Sequence, residues 1–225
     1  MDIHYDLVPL VLTFKLAGIT TAVLILIGIP LSYWLAFSRF KVKYLIETLV
    51  SMPLVLPPTV LGFYFLVAFS PNGFLGQALE KYLGVQVAFS FLGLVIGSVI
   101  FSLPFMVNPL KAGFESLPQS LIEASYTLGK SKWQTLTKVI LPNVIPAFLA
   151  GVGMSFAHTI GEFGVVLMIG GNIPDQTRVA SIAIFTEVEA LNYQTATFYS
   201  LVLVIFSFVV LLVLKSLMRK TVKVF

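Results

Sequence analysis

No cysteine occurs in the 225 residues, which removes disulfides, thiolate metal sites and a cysteine nucleophile from consideration. Charge is scarce as well. Asp, Glu, Lys and Arg make up 11% of the chain, against 58% hydrophobic residues and a mean hydropathy of +0.98. A soluble domain carries about twice that charge, so the composition is that of a polytopic membrane protein. Internal repeats, low-complexity tracts and flexible linkers are missing too, and residues 1–225 read as one membrane domain. The opening MDIHYD is acidic and lacks the basic region of a secretory signal, so the first apolar run is expected to stay in the mature protein. The net charge is +4, but its positive residues cluster beside apolar spans, which speaks for a lipid bilayer and against nucleic acid.

What is present is a series of apolar runs. The first covers residues 8–37, interrupted by Lys15, whose stem can snorkel to the interface, and by Pro30. A second, residues 46–69, contains Pro53, Pro57 and Pro58. Each proline removes a backbone donor and crowds the turn before it. A packed kink is one reading; a broken helix whose freed carbonyls face protein or a water-lined path is the one we favour. Pro71-Asn72-Gly73 marks a turn, and residues 74–83 then form a short interfacial helix. The third span, residues 88–110, carries Gly93-x-x-x-Gly97, a spacing that permits close helix contact. The fourth run, residues 142–170, is long for one span. A second interfacial helix is expected within residues 178–193, and the last span covers residues 195–214.

Loop charges orient these runs. With the N-terminus outside, the inner segments hold Arg39, Lys41, Lys43, Lys111, Lys130, Lys132, Lys138, Lys215, Arg219, Lys220 and Lys223. The outer segments hold Lys81 and Arg178. Splitting the fourth run would send the basic C-terminus outside, against the positive-inside tendency. The expectation is an all-α integral membrane protein of five transmembrane helices, N-terminus outside and C-terminus inside.

Residues 115–142, ESLPQSLIEASYTLGKSKWQTLTKVILP, are polar and basic yet patterned. Pro118 suits the start of a helix, and Leu117, Leu121, Ala124/Ser125 and Leu128 recur at helical spacing. Gly129 stands where a left-handed stop is cheapest. Ser131 and Gln134 form an S-x-x-Q capping box that starts a new helix. The first helix, about eleven residues, is too short to cross a bilayer. Gly129-Lys130-Ser131 mimics the tail of a phosphate-binding loop, but Ala124 stands where that loop needs glycine and a helix precedes it, so no nucleotide site is expected here.

Glu123-Ala124-Ser125, three residues, Gly129, nine residues and Val139-x-Leu141-Pro142 together resemble the EAA loop of bacterial ABC-importer permeases. The spacing matches throughout; Ser125 replaces alanine and Val139 isoleucine. The resemblance implies that residues 115–135 contain a cytoplasmic coupling helix seated in a partner ATPase, with Glu123, Ala124, Ser125, Gly129, Leu141 and Pro142 as the coupling residues. The bland alternative is an amphipathic helix on the membrane surface. The run PLVLPPTVLGF and Gly161-Glu162-Phe163-Gly164 resemble molybdate-type permeases, with sulfate permeases the nearest rival. The resemblance further implies a second copy of the permease, two ATP-binding cassette subunits on the cytoplasmic side and an extracytoplasmic oxyanion-binding protein. The setting it implies is the bacterial inner membrane, with ATP and magnesium used by the partner and no cofactor held by this chain.

Inside the fourth run, His158 and Glu162 are four apart and share a helical face. Ionisable residues within a span are candidate functional groups. One reading has them, with Pro57, Pro58, Phe163 and Gly164, lining the translocation route or its gate. The other has them locking a helix packing or subunit contact, each neutralising the other. A bare carboxylate repels an anion, so Glu162 is not read as an anion ligand. A secondary transporter or channel would show paired repeats, which are missing. A membrane enzyme would need a converging nucleophile or metal set, and none is evident.

Overall fold

The computed structural model describes residues 5–222, with side chains through residue 218. Most of the MDIHYD segment and Lys223 lie outside the described residues, as do the side chains of Arg219 and Lys220. Among the described residues every regular element is helical. Eleven α-helices follow in order: α1 (Val8–Phe37), α2 (Val42–Ser51), α3 (Pro58–Phe69), α4 (Phe74–Leu83), α5 (Phe91–Glu115), α6 (Gln119–Thr127), α7 (Lys132–Thr135), α8 (Leu141–Gly161), α9 (Gly164–Gly170), α10 (Ala180–Glu189) and α11 (Tyr193–Val222).

Four of the helical stretches are long and apolar enough to cross a membrane: Val8–Phe37, Phe91–Glu115, Lys132–Gly161 and Tyr193–Met218. A fifth crossing arises if Val42–Leu54 and Pro58–Phe69, bent by 111°, count as one broken span. α1 and α4 have the bounds their apolar runs suggest, and Gly84 ends α4 in the left-handed region at φ 64°. α5 departs from expectation. Ser90 caps it by accepting from the Gly93 N–H at 3.2 Å, and it continues past Pro104 and Pro109 to Glu115.

The core is α1, α5 and the α8–α9 pair. At one end Leu12 and Leu16 of α1 meet Leu94 of α5 and Val166 and Ile169 of α9. At the other, Leu24 packs with Met106, Leu110, Phe114, Ile140 and Val144. α8 and α9 run antiparallel to α5 along its length, Gly113 lying against Ala147, Gly151 against Met106 and Gly97 against Val165. The long fourth run is therefore one path alongside α5, interrupted after Gly161. α3 packs on α9, α2 on the other half of α5, and α11 on α8 and α10. Lys111 of α5 ties down α2 through Glu47 at 2.8 Å.

Between α7 and α8 the backbone widens into a π turn, Leu136–Ile140, with the Leu141 N–H reaching the Leu136 carbonyl. Pro142 explains the widening. A proline ring collides with the carbonyl four residues back in a regular helix, and an i→i+5 turn is a common relief.

Candidate functional site

Two groups of residues stand out, at opposite ends of α8. The first is the polar segment before it. Pro118 caps α6, and α6 ends in a Schellman motif: Lys130 N–H donates to the Ser125 carbonyl at 3.1 Å and Gly129 N–H to the Tyr126 carbonyl at 2.9 Å. Gly129 sits at φ 75°, where a side chain costs roughly 1–2 kcal/mol. The capping box is complete, Gln134 N–H donating to Ser131 Oγ at 3.2 Å and Ser131 N–H to Gln134 Oε1 at 3.0 Å.

The apolar stripe divides between two faces. Leu117, Ile122 and Leu136 pack on the core, while Leu121, Ala124, Tyr126, Leu128 and Trp133 stand exposed, Leu128 at 78% and Trp133 at 71%. Glu123 is on the exposed side, its Oε1 accepting from Gln119 Nε2 at 2.9 Å. Leu141 and Pro142 begin α8 just beyond the π turn. Ser125 is buried, and its hydroxyl lies 2.8 Å from Thr135 Oγ1, itself fully buried. This bond locks α6 to α7, a role that spacing alone did not reveal. Ser125→Ala leaves the Thr135 hydroxyl without that partner and is expected to cost about 1–3 kcal/mol. Combining it with Thr135→Val, which removes both hydroxyls, should recover most of the loss in a detergent melting experiment.

The second group lies where two helices break. Between α2 and α3 the chain passes through a 3-10 turn, Met52–Leu54, then residues 55–57. Val55 and Leu56 N–H donate to the Met52 carbonyl, and Val60 and Leu61 N–H to the Pro57 carbonyl. Pro57 and Pro58 have no N–H to satisfy, so the sharp bend strands no donor at those two positions. α8 stops at Gly161, and Glu162 is extended (φ −66°, ψ 130°). α9 starts with Gly164, whose Cα hydrogen faces the Pro58 ring and the Thr59 backbone. The two breaks abut.

They enclose an open cavity of about 490 Å³ lined by Pro58, Thr59, Phe101, Ala157, His158, Gly161, Glu162, Phe163 and Gly164. Phe101 is near the middle of α5, which places the cavity partway through the span. Pro57 itself caps α3 beside it. Lys15 is elsewhere, exposed with Nζ 4.8 Å from the Phe91 ring. The structure does not join His158 and Glu162 as a neutralising pair, because the helix that would align them ends between them. His158 Nδ1 is 3.0 Å from Ser102 Oγ, and its ring stacks on Phe105. Glu162 is 4% exposed; its Oε1 accepts the Val165 N–H at 2.8 Å and its carbonyl accepts from Ser181 Oγ at 2.6 Å. Among the described residues, no cluster of three His, Cys, Asp or Glu side chains could hold a metal ion.

Residues 28–223 match the family described as binding-protein-dependent transport system inner membrane component. The chain is 46% identical to the molybdenum transport system permease protein of Azotobacter vinelandii over 96% of both chains. It is 34% identical to the putative molybdenum transport system permease protein of Bacillus subtilis, over 90% of this chain and 89% of that one. The sulfate transport system permease protein of Escherichia coli is also 34% identical, over 86% of this chain and 69% of its own length. Among solved structures, a bacterial alginate ABC transporter superposes with TM-score 0.79 at 18% identity, covering 97% of this chain and 80% of that one. An inward-facing methionine ABC transporter superposes with TM-score 0.74 at 16% identity, over 95% and 94%. These two likenesses establish the fold.

Proposed function

This chain belongs to the family of binding-protein-dependent transport system inner membrane components, and on that premise we propose that it is the permease subunit of an ATP-driven importer for molybdate. The observation that carries the substrate is the 46% identity to a molybdenum permease across 96% of both chains. Sulfate permeases are the second reading, favoured by the 34% identity to the Escherichia coli protein, although that relative is longer than this chain. Tungstate shares molybdate's shape and charge and falls within the same proposal.

In this reading residues 1–225 form one transmembrane domain of five spans, N-terminus outside, set in a bacterial inner membrane. The bent α2–α3 pair is the second span. The exposed face of α11, with Leu201, Val204, Ile205, Phe208 and Leu212, meets lipid or a second copy of the permease. Residues 115–135 dock into a cytoplasmic ATPase through Glu123, Ala124 and the Gly129 turn, while Ser125 holds α6 in place and Leu141 and Pro142 carry the motion into α8. ATP and magnesium serve that partner, and an oxyanion-binding protein delivers substrate from the far side. The translocation route passes the two helix breaks, lined by Pro58, His158, Glu162, Phe163 and Gly164 with Pro57 behind them. The ATPase cycle then rocks the coupling helices of the two permease copies and opens the path they form together to one side at a time, a rigid-body alternation of the kind transporters use.

Uptake of labelled molybdate and sulfate into vesicles, with the ATPase and binding protein co-expressed, tests the proposal. Molybdate uptake that needs ATP and resists excess sulfate is the expected result. ATP-dependent sulfate uptake would keep the mechanism and move the substrate. Uptake driven by an ion gradient without ATP would overturn the coupling reading.

A further inference from the structure

Three hydrogen bonds run in series behind the wall of the cavity between the helix breaks, and when all three form their protons can be counted. Thr159 Oγ1 donates to the Ser155 carbonyl at 2.9 Å, since a carbonyl only accepts. Its one hydrogen is used there, so across the 3.2 Å contact with Ser102 Oγ it accepts the Ser102 hydrogen. Ser102 then offers His158 only lone pairs. At 3.0 Å the hydrogen between them therefore sits on Nδ1 of the imidazole.

A neutral imidazole with its hydrogen on Nδ1 carries a bare lone pair on Nε2. The ring is flanked by Phe105, stacked with centroids 4.0 Å apart, and by Phe101, tilted at 4.9 Å. His158 lines the cavity with its Nδ1 edge turned to Ser102. Glu162 lines the same cavity. Its Oε1 is engaged by the Val165 N–H, and its Oε2 is buried with no hydrogen-bond partner among the described residues. The lining contains no Lys or Arg, and its remaining polar side chain is Thr59. An imidazole held through its Nδ1 edge and a carboxylate whose Oε2 is buried without a partner thus stand in the wall of a space partway through the span.

We propose that this wall is an anion barrier: Ser102 and Thr159 hold His158 as a hydrogen-bond acceptor, and with Glu162 it keeps tetrahedral oxyanions from resting in or leaking through the cavity. An oxyanion needs donors, and away from bulk water its repulsion by a carboxylate is weakly screened. Passage then requires the breaks to move so that other groups replace this wall. Ser102 and Thr159 act through His158 and are positioning residues. The inference rests on reading the cavity as part of the transport route.

The test uses the complete transporter, permease with ATPase and binding protein, in proteoliposomes with labelled molybdate. Glu162→Gln keeps the shape and the Oε1 acceptor while turning Oε2 into an amide donor. ATP-independent molybdate entry is expected to rise about tenfold, the equivalent of ~1.4 kcal/mol. Ser102→Ala frees the ring to change tautomer. Nitrogen-15 spectra of histidine-labelled protein should show the Nδ1–H form in the unsubstituted chain and a mixture in Ser102→Ala. The His158 signal is the one missing from His158→Gln. A purely structural role would lower the melting temperature and ATP-driven uptake without opening a leak. If the unsubstituted complex imports molybdate with ATP and Glu162→Gln stays tight, the barrier is wrong and the transport reading stands. An Nε2–H form of His158 in the unsubstituted protein overturns the barrier whatever transport shows. Absence of any ATP-driven oxyanion uptake by the unsubstituted complex removes the transport reading instead.

Discussion

Gly129→Asp is expected to abolish ATP-driven uptake while leaving the protein inserted at its usual level. The turn at Gly129 has φ 75°, and a side chain there would meet nothing within 4 Å. Aspartate is among the residues that visit the left-handed region most readily, so the fold loses little, about 1 kcal/mol. The new carboxylate instead projects into open space next to the exposed Leu128, where the proposed ATPase would sit. A fall in uptake to about a hundredth corresponds to ~2.7 kcal/mol of lost docking, within reach of one misplaced charge at an interface. Immunoblots of membranes should show unchanged permease, and affinity purification should recover less ATPase with it. Gly129→Asn has the same shape without the charge. Recovery of uptake in that variant assigns the loss to electrostatics; loss in both assigns it to the shape of the turn. Normal uptake by the aspartate variant removes this segment from coupling altogether.

The turn at Gly129 was legible because its cause is local: a helix, a glycine at its end and a capping box that begins two residues later need no distant partner. The bounds of α1 and α4 were legible for the same reason. The apolar stripe of α6 was readable as a pattern, but not its partition. Leu121 and Leu128 face outward while Ile122 and Ser125 face inward, because α7 folds back through the Ser125–Thr135 bond. The site depended still more on distance. Proline spacing foretold that α2–α3 would break, and Gly161-Glu162-Phe163-Gly164 drew attention to itself. Nothing in either stretch says that the two breaks touch, since their contact joins residues about a hundred positions apart. His158 and Glu162 were misaligned for a related reason: an i,i+4 pair shares a face only while the helix continues, and this one stops at Gly161. The Ser102 partner of His158, 56 residues away, has no sequence signal beyond being a polar residue in an apolar helix.

The contact between the breaks makes a second strong prediction, from two glycines three residues apart. A Cβ on Gly164 would stand 2.7 Å from the Cβ of Pro58 and 3.3 Å from the Thr59 nitrogen. Neither can yield, the first being part of a ring and the second part of the backbone. A Cβ on Gly161 would meet nothing within 4 Å, although Gly161 lines the same cavity. Gly164→Val should therefore force α3 and α9 apart, at an overpacking cost of about 1–3 kcal/mol. At about 2–4 °C per kcal/mol for a chain of this size, the melting temperature in detergent should fall by roughly 2–12 °C. Uptake should be lost with it, because Thr59, Phe163 and Glu162 are positioned by that packing. Gly161→Ala should melt within about 2 °C of the parent, as substitutions free of such clashes usually do, and should keep uptake within about twofold. The sign of any deviation is informative. If Gly164→Val melts normally but fails to transport, the contact is one that opens during the cycle and the added methyl groups block its closure. If it melts low yet transports at low temperature, the contact is a weld that stabilises the resting state, and the moving parts lie elsewhere along α8.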